Sequence, residues 1–597
     1  MTAATSATAA TPATATTTAL DGQVLGWTVS PDRAELVTVH DTPGEEPTIE
    51  LVTRRIGPDG APDGEPPRPV TGPLPPDWRV LDWAGPRRLA LWRPGRRSQL
   101  CVLDLAGDVT HRGEVLGRPL RCRLNARGDV LVLLVVSGAD KPELWLHHAG
   151  SNSYLPVPDS GGVRRVGAWD ADAGVFAADV DRTRFYRHGQ AGCVEVAVDQ
   201  PDDTRVTATA GCAAGRIGLT GTRVTGDTVP GVLDIATGRV RWFDDHPGGT
   251  AVDLAPAGTR LLTTTWDQQR HTYQVLDPAG HRTAVLDPGP TLATDVRLTR
   301  DERHLIGWHQ SPADEPRLTR WAPPDPCPRP LAPRTSTPVG MRWRHRWVPD
   351  ASGTDLPEWV FEPTGTTATG TVLFLHGGPR GRLKQEHDPV VEAMVRAGWS
   401  VVGPNYPGSS GYGERYLDLG RGDWGGVDAA ALRRRLETLH DAGQPVCVYG
   451  QSYGGYLALR VAAELPHLVA GVAVWAPVTD LPALHTGMTG VRRRWLDDEL
   501  GDLRLDQRVL WERSPVSQAR VLAGTRLLIG HGRSDDRCPV DQSRRLVDLV
   551  RSCGADTGLR YLEEPGNHAP ADWGPWSRAV VEHFAAASTE GRSGATG

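Results

Sequence analysis

Residues 450–456 read Gly-Gln-Ser-Tyr-Gly-Gly-Tyr, and this stretch decides the fold of the C-terminal half of the 597-residue chain. The apolar run Pro445–Tyr449 before it predicts a short buried strand, and Leu457–Leu465 after it predicts a helix. A strand, Gly-x-Ser-x-Gly and a helix in this order form a nucleophile elbow, a sharp turn that exposes a serine hydroxyl. The flanking glycines meet the steric demand of such a turn. The pentapeptide alone also fits an ordinary glycine-rich turn.

Two further residues turn this motif into a catalytic hypothesis. Asp535 and His568 each follow an apolar strand, and the chain order serine, aspartate, histidine is the order found in α/β-hydrolases. A rival histidine, His531, lies only four residues before the aspartate and would leave His568 without a role. Neutral His568 can take the serine proton near pH 7, and Asp535 can fix the imidazole tautomer. The pattern predicts a triad of Ser452, Asp535 and His568.

Acyl-transfer chemistry also needs hydrogen-bond donors for the oxyanion of the tetrahedral intermediate. The N–H of Tyr453, directly after the serine, is the first expected donor. Two sources compete for the second donor. One is the backbone of His376-Gly377-Gly378-Pro379 after the apolar strand Thr371–Leu375, and the other is a tyrosine hydroxyl in the segment Asn405–Glu414.

The N-terminal 300 or so residues predict an all-β domain, because short β-rich runs alternate with Gly, Asp and Pro turns. One strand-turn-strand pattern recurs with spacings of 40 to 56 residues, which is typical of β-propeller blades. Seven anchors predict seven blades, with an irregular pair of β-sandwiches as the alternative. The anchors are Trp27, Trp83, Leu124, Trp169, Thr209, Leu254 and Leu298.

A proline-rich run between Ala322 and Pro338 predicts the connector between the two domains. The expected fold class is therefore an all-β propeller followed by a doubly wound α/β-hydrolase domain. The expected boundaries are a disordered tail at 1–20, a propeller at 21–325, a linker at 326–340, a catalytic domain at 341–590 and a second tail at 591–597.

Composition excludes several functions. The net charge of −7 without a basic stripe gives nucleic-acid binding little support, and no apolar stretch is long enough to predict a membrane span. The eight cysteines have no metal-binding spacing, so we expect reduced thiols and a cytoplasmic setting. No motif calls for a cofactor or a metal. The charged runs Arg492–Arg494 and Asp497–Glu499 are expected to be exposed helix faces.

Over residues 340–590 the chain resembles prolyl oligopeptidase-type serine peptidases, which include acylaminoacyl-peptidases and dipeptidyl-peptidases. The order and spacing of the shared segments fit the family throughout. These segments are His376–Pro379, Gly408–Gly413, Asp423–Gly426, Gly450–Tyr456, Ala476–Asp480, Asp535–Pro539 and His568. Departures are Pro407, where many relatives have arginine, and Cys538, where they have valine.

The resemblance implies further site residues. It implies that the hydroxyl of Tyr412 is the second oxyanion donor and that Arg537 binds a substrate carbonyl, with a surface ion pair to a neighbouring aspartate as the alternative for Arg537. It also implies that Tyr453, Val478, Trp475 and Leu481 line the specificity pocket, with core packing as the alternative. The paired glutamates with which dipeptidyl-peptidases hold a substrate amino terminus cannot be placed by motif.

The resulting expectation is a serine peptidase that hydrolyses short peptides or peptide-like molecules through an acyl-enzyme at Ser452, with the propeller excluding folded proteins. An esterase, acyl transferase or macrocyclase would use the same triad. A non-enzymatic binding protein built on the propeller is the alternative from another class. We expect no nucleic-acid or membrane partner, and homo-oligomers are compatible with the resemblance.

Overall fold

The architecture comes from a computed structural model. It describes residues 24–42, 48–65, 67–71, 74–75, 77–85, 87–95, 97–124, 129–137, 142–161, 163, 165–170, 173–179, 183–189, 192–199, 201–267, 270–331, 337–554, 558–570 and 572–593. The tail predicted at residues 1–20 lies outside these residues, as does most of the tail predicted at 591–597.

Seven four-stranded antiparallel sheets make up the N-terminal part of the described chain. Each sheet is built from four strands that are consecutive in sequence, as in a propeller blade. The first four blades contain β1 (Val24–Val29), β2 (Glu35–Thr42), β3 (Thr48–Arg55), β4 (Arg68–Pro69), β5 (Arg79–Gly85), β6 (Arg88–Arg93), β7 (Ser98–Asp104), β8 (Val109–Val115), β9 (Arg118–Leu124), β10 (Val130–Ser137), β11 (Pro142–His148), β12 (Ser153–Pro156), β13 (Arg165–Asp170), β14 (Val175–Asp179), β15 (Thr183–Gly189) and β16 (Gly192–Val196).

The last three blades contain β17 (Thr204–Ala213), β18 (Arg216–Arg223), β19 (Thr228–Asp234), β20 (Val240–Trp242), β21 (Thr250–Leu254), β22 (Leu261–Asp267), β23 (Arg270–Leu276), β24 (Arg282–Leu286), β25 (Leu292–Leu298), β26 (Leu305–Ser311), β27 (Asp314–Ala322) and β28 (Asp325–Pro330). The predicted seven-bladed propeller is confirmed. Every sequence anchor, from Trp27 to Leu298, falls in the first strand of its blade. First strands of successive blades contact each other in the pairs β5 and β9, β13 and β17, β17 and β21, and β21 and β25.

Within the described residues the first and last blades exchange no strand, and side chains join the first blade to the last two. Asp253 on β21 of the sixth blade accepts a hydrogen bond from the N–H of Leu298 in the seventh blade, at 2.8 Å. The same carboxylate is held by Arg33 of the first blade, at 2.8 and 3.0 Å from the two carboxylate oxygens. Apolar contacts between the first and seventh blades complete the closure, through Val29, Leu36, Ile306 and Leu318.

The predicted start of the linker, at residue 326, is wrong, because residues 325–330 form β28, the fourth strand of the seventh blade. The strand tolerates Pro326, Pro328 and Pro330 because it lies at a sheet edge, where a missing backbone N–H breaks no ladder bond. Residues 332–336 of the predicted linker lie outside the described residues. The N–H of Val339 then bonds the carbonyl of Ala313 at 3.1 Å, so the end of the linker packs on the propeller.

The hydrolase sheet begins at Met341 and has eight strands in the order β29-β30-β32-β31-β33-β34-β35-β36. The six strands from β32 to β36 in this order are parallel to one another. At one edge β30 pairs antiparallel with both β32 and β29. The strands are β29 (Met341–Val348), β30 (Leu356–Pro363), β31 (Thr371–Leu375), β32 (Ser400–Pro404), β33 (Val446–Gln451), β34 (Gly471–Trp475), β35 (Leu527–Gly532) and β36 (Leu559–Glu564).

Helices cover both faces of this sheet, as parallel strands that are apolar on both faces require. One core packs α1 and α10 on one face, and a second core packs α3, α4 and α9 on the other. The helices are α1 (Pro389–Arg396), α2 (Glu414–Asp418), α3 (Val427–His440), α4 (Tyr453–Glu464), α5 (Leu481–Gly487), α6 (Gly490–Leu500), α7 (Gln507–Glu512), α8 (Ala519–Leu522), α9 (Asp541–Ser552) and α10 (Trp573–Ser593).

The boundary predicted at residue 590 falls inside α10, which continues to Ser593. Within the described residues, no helix has both the length and the apolar character needed to cross a bilayer.

The closure of the ring makes a testable prediction. Arg33→Met should lower the free energy of unfolding by about 3–5 kcal/mol, because it leaves the buried Asp253 carboxylate without its cation. Chemical denaturation followed by fluorescence measures the change. The control is Arg239→Met, which removes an exposed ion pair with Asp199 at 4.0 Å and should change stability by less than about 1 kcal/mol. Equal effects of the two substitutions would contradict the proposed closure.

Candidate active site

Ser452 lies at the turn between β33 and α4, where the sequence places the nucleophile elbow. Its φ of 56° and ψ of −120° are strained for a residue with a side chain. The turn needs glycine around it: a Cβ on Gly450 would lie 2.2 Å from the carbonyl oxygen of Gly454, and one on Gly454 would lie 2.1 Å from that of Leu375. Tyr453 is the first residue of α4, so its N–H has no acceptor within the helix.

The structure brings Ser452, Asp535 and His568 to the same end of the sheet, on the loops after β33, β35 and β36. Nδ1 of His568 lies 2.7 Å from Oδ2 of Asp535, and both Ser452 and His568 line one cavity. Among the described residues no hydrogen bond joins the serine hydroxyl to the imidazole, a separation common in enzymes without substrate. The imidazole is therefore oriented by the carboxylate beside the serine.

The rival histidine, His531, lies behind the aspartate instead of in the cavity. It is fully buried, with Nδ1 2.7 Å from the Ser543 hydroxyl and Nε2 2.8 Å from the carbonyl of Cys538. Its Nε2 is also 3.3 Å from Oδ2 of Asp535. His531 thus supports the loop that carries the acid.

Asp535 is held as a carboxylate. Burial acts to raise its pKa, but hydrogen bonds from His531, His568 and the N–H of Cys538 outweigh burial, and the pKa falls well below its ordinary value. The N–H groups of Arg537 and Cys538 donate to Oδ1 at 2.8 and 2.9 Å. A permanently ionised Asp535 can stabilise an imidazolium on His568.

Two side chains fix the backbone of the histidine loop. Nε1 of Trp475 donates to the carbonyl of His568 at 3.0 Å, and Nε2 of Gln451 donates to the same oxygen at 3.3 Å. Trp475 otherwise packs on Trp576 in the core. The prediction that Trp475 lines the specificity pocket is therefore corrected: it holds the histidine loop from below. Gln451, the variable residue of the serine motif, was missed by sequence reasoning because its contact is long-range.

A cavity of about 500 Å³ opens beside the serine. Its walls are mainly apolar, and they include Tyr453 and Val478 from the predicted pocket. Leu481 does not line it, because this side chain is buried in the core and its place is taken by residues of α5, α6 and the segment between them. The lining residues are Gly377, Gly378, Trp424, Gln451, Ser452, Tyr453, Val478, Leu484, Met488, Arg492, Trp495, Arg537, Cys538 and His568.

Two arginines lie at this cavity. Arg537 is exposed, and among the described residues its guanidinium makes no ion pair, so the alternative of a pair with Asp535 or Asp536 is not seen. Asp536 pairs instead with Arg492 of α6 at 2.7 Å. Arg492 lies on an exposed helix face, as expected from the sequence, and its side chain also lines the cavity.

Cys538 replaces the valine of the related family and also lines the cavity. It is fully buried, burial raises the pKa of its thiol well above the ordinary value, and its Sγ lies 3.3 Å from the carbonyl of Pro477. A neutral, hydrogen-bonded thiol is a poor nucleophile. Cys538 therefore acts as a wall of the cavity.

Tyr412 is not among the residues that line the cavity. Its hydroxyl accepts a hydrogen bond from Nδ2 of Asn405 at 2.7 Å and lies 3.1 Å from Nε2 of His345 on β29. Burial raises the pKa of Tyr412 to about 12, against the opposing influence of Asn405 and Arg382. The expectation that this hydroxyl reaches the oxyanion is corrected, since the sequence motif gave no information about where the loop folds.

The His-Gly-Gly-Pro turn, the other donor source considered from the sequence, lies beside the serine. Gly377 lies against the nucleophile, because a Cβ there would be 3.7 Å from Cβ of Ser452. The turn is fixed by Tyr406, whose hydroxyl donates to the carbonyl of His376 at 2.8 Å and whose ring stacks on the imidazole. Burial lowers the pKa of His376 to about 4, so this imidazole is neutral at pH 7. Gly377 and Gly378 both line the cavity.

A buried acid supports the opposite wall. The hydroxyl of Tyr453 donates to Asp428 at the start of α3. Burial raises the pKa of Asp428 to about 6, although the hydrogen bonds from Tyr453 and backbone N–H groups oppose the rise. This bond fixes the Tyr453 ring, which contacts Trp424 with ring centroids 4.7 Å apart.

Ligand-type side chains cluster at one place in the described residues, and none of them lines the cavity beside the serine. Glu315, His387 and Glu392 offer ligand atoms within 4.8 Å of one another between the propeller and the hydrolase domain. His387 already pairs with Glu392 at 2.6 Å, and Arg396 pairs with the other oxygen of Glu392. Protein partners thus satisfy this carboxylate.

The corrected position of Tyr412 makes a prediction. Tyr412→Phe should leave kcat for a cleaved anilide within about threefold of the wild-type value, whereas loss of an oxyanion donor costs roughly 100- to 1000-fold. Steady-state kinetics on the purified variant measures the change, with Ser452→Ala as the inactive reference. A hundredfold loss of kcat in Tyr412→Phe would return its hydroxyl to the oxyanion site.

Known proteins share this arrangement. The model of the Prolyl oligopeptidase family matches residues 387–578. The chain is 29% identical to the uncharacterized peptidase YuxL of Bacillus subtilis over 210 residues, which cover 34% of this chain and 32% of YuxL. It is 26% identical to dipeptidyl aminopeptidase BIII of Pseudoxanthomonas mexicana over 400 residues, which cover 60% of this chain and 56% of the relative. The chain thus spans between a third and just over half of these two proteins.

A solved structure extends the likeness in fold to both domains. The crystal structure of a puromycin hydrolase superposes with a TM-score of 0.71 and covers 93% of each chain, at 19% sequence identity. At this identity the superposition shows the fold alone, a propeller followed by a hydrolase domain. The family match over residues 387–578, together with the order of the motifs, shows that the catalytic domain of this chain is similar to the prolyl oligopeptidase family.

Proposed function

We propose that this chain is a serine peptidase that cleaves short peptides or N-acylated aminoacyl compounds next to an apolar residue. The observation that carries the proposal is the Asp535–His568 bond of 2.7 Å beside a serine strained at the tip of an elbow. A nucleophilic role for the serine explains why a turn with positive φ places its hydroxyl beside an oriented imidazole.

The reaction follows from the positions of these groups. His568 takes the proton of Ser452 as Oγ attacks the substrate carbonyl carbon, and ionised Asp535 stabilises the resulting imidazolium. The N–H of Tyr453 and the backbone of Gly377 and Gly378 supply the donors for the oxyanion. The imidazolium then protonates the leaving amine as the C–N bond breaks. Water attacks the acyl-enzyme with His568 as base, which releases the acid and restores the serine.

The cavity supports an apolar side chain on the residue whose carbonyl is attacked. Trp424, Tyr453, Val478 and Leu484 present apolar surface with little to satisfy a charge. Arg537, without an ion pair among the described residues, is available to donate to a carbonyl farther along the bound peptide.

The charges at the cavity support a blocked amino group. The described lining residues include Arg492 and Arg537 and no carboxylate, and Asp536 offsets one of the two positive charges. A free ammonium group on the substrate would therefore be disfavoured relative to a neutral amide.

The domain arrangement supports small substrates. The propeller docks beside the loop that carries Gly377, through contacts such as the bond of 3.1 Å from the N–H of His387 to Gln310. A propeller in this position restricts the route of large substrates.

All eight cysteines are unpaired, which favours the reducing setting of the cytoplasm.

Release of p-nitroaniline tests the proposal. N-acetyl-phenylalanine p-nitroanilide should be cleaved, with kcat/KM about tenfold or more above that for the unacetylated compound and for N-acetyl-aspartate p-nitroanilide. Ser452→Ala should lose about 10⁴-fold or more in kcat. Mass spectrometry of the products should show addition of one water, which separates hydrolysis from acyl transfer.

The matched control is Ser552→Ala, which changes an exposed serine at the end of α9 and should retain full activity. Cleavage that survives in Ser452→Ala, or its absence from all three anilides in the wild type, would contradict the proposal. Faster cleavage of the unacetylated anilide would contradict only the preference for a blocked amino group.

A further inference from the structure

The loop that carries the oxyanion glycines also reaches the propeller. Arg382 follows Gly377 by five residues in the sequence. Its guanidinium lies over the ring of Trp266, with Cζ 3.9 Å from the ring centroid. Trp266 belongs to β22 of the sixth blade. This contact therefore joins the two domains at a point only a few residues from the cavity.

The other face of the guanidinium lies on the hydrolase backbone. A Cβ on Gly411 would meet Nη1 of Arg382 at 1.9 Å and its Cζ at 3.0 Å, and Gly411 has a φ of 90°. Only glycine fits both that conformation and that approach. Arg382 is thus clamped between the indole of Trp266 and the backbone of Gly411.

The guanidinium of Arg382 is half-buried between the indole of Trp266 and the backbone of Gly411. Within the part of the chain that the structure describes, its guanidinium forms no ion pair with a carboxylate, and burial lowers its pKa. An aromatic face is then its main partner, and such contacts strengthen when water is removed. Neighbouring arginines differ in this respect, since Arg380 pairs with the buried Glu499 of α6 at 2.6 Å.

Glu499 was expected on a solvated face of α6, but it is buried against the loop. The loop is therefore anchored at three points. Arg380 ties it to the helix that carries Arg492 and Trp495 of the cavity, and Arg382 ties it to the propeller. Its downstream end is bonded to Asn405 through the N–H of Leu383 at 2.6 Å.

We propose that Arg382 is a positioning residue for the oxyanion turn and that Trp266 of the propeller completes the reaction site by holding it. The propeller would then contribute to the chemical step as well as to access. This inference rests on the proposed function, and its central structural claim is that the turn at residues 376–383 loses order when the clamp is removed.

Hydrogen exchange tests that claim without reference to activity. In Trp266→Ala, amides in the peptide that covers residues 376–383 should exchange faster than in the wild type, while peptides from α9 and β35 stay unchanged. Trp266→Phe retains an aromatic face and should restore protection. Unchanged exchange at 376–383 in Trp266→Ala would overturn the inference.

Kinetics tests the consequence. Arg382→Ala and Trp266→Ala should each lower kcat about 10- to 100-fold with KM within about threefold, and the double variant should be no worse than either single variant. The control is Trp343→Phe, which removes another bond between the domains, from Nε1 to the carbonyl of Pro290 at 3.2 Å, and should keep its kcat.

A transition-state probe separates positioning from general loss of structure. A peptide aldehyde, which forms an oxyanion with the serine, should bind the two alanine variants about tenfold or more weakly, whereas the matching peptide alcohol should bind as in the wild type. Equal weakening of both ligands would overturn the role of the clamp. So would a kcat in the two alanine variants that equals that of a wild type able to cleave anilides. Loss of cleavage in the wild type itself would instead contradict the proposed function.

Discussion

The backbone strain at Ser452 is the constraint on which the catalytic domain depends. A residue with a side chain is held at positive φ in a tightly packed turn, where the carbonyl oxygens of Gly454 and Leu375 leave no room for a Cβ on the glycines around it. Strain of this kind costs of the order of 1–3 kcal/mol and persists only where packing enforces it. Here the turn follows the buried strand β33, which pairs with β31, and the result is a half-buried serine that lines the cavity at the start of a helix.

Around that fixed point the remaining groups are held from behind. His531 and two backbone N–H groups keep Asp535 ionised, and Trp475 and Gln451 hold the carbonyl of His568. The catalytic groups are therefore positioned by residues that lie behind them in the protein, while the groups that meet the substrate face a cavity. This division explains how loops at the ends of parallel strands can keep the geometry that acyl transfer requires.

Local sequence patterns were enough to predict much of the architecture, because turns and strand alternation depend on residues that are neighbours in sequence. The elbow, the strands before Asp535 and His568, and the seven blade anchors are of this kind. The positions of Tyr412, Trp475 and Leu481 could not be predicted, because long-range packing decides which face of a loop or helix meets the cavity. The prediction of a linker at β28 was wrong for another reason. A proline-rich segment predicts a linker, but a strand at a sheet edge tolerates prolines. Arg382 had no local signal, since its partner Trp266 lies more than a hundred residues away.

The most direct test of the central claim is covalent labelling of the purified protein with a fluorophosphonate, read by intact mass and peptide mapping. The account predicts one adduct per chain, located on Ser452, absent from Ser452→Ala and formed at least about 100-fold more slowly in His568→Ala. No adduct on the folded wild-type protein, or an adduct that persists in Ser452→Ala, would show that the strained serine is not the nucleophile.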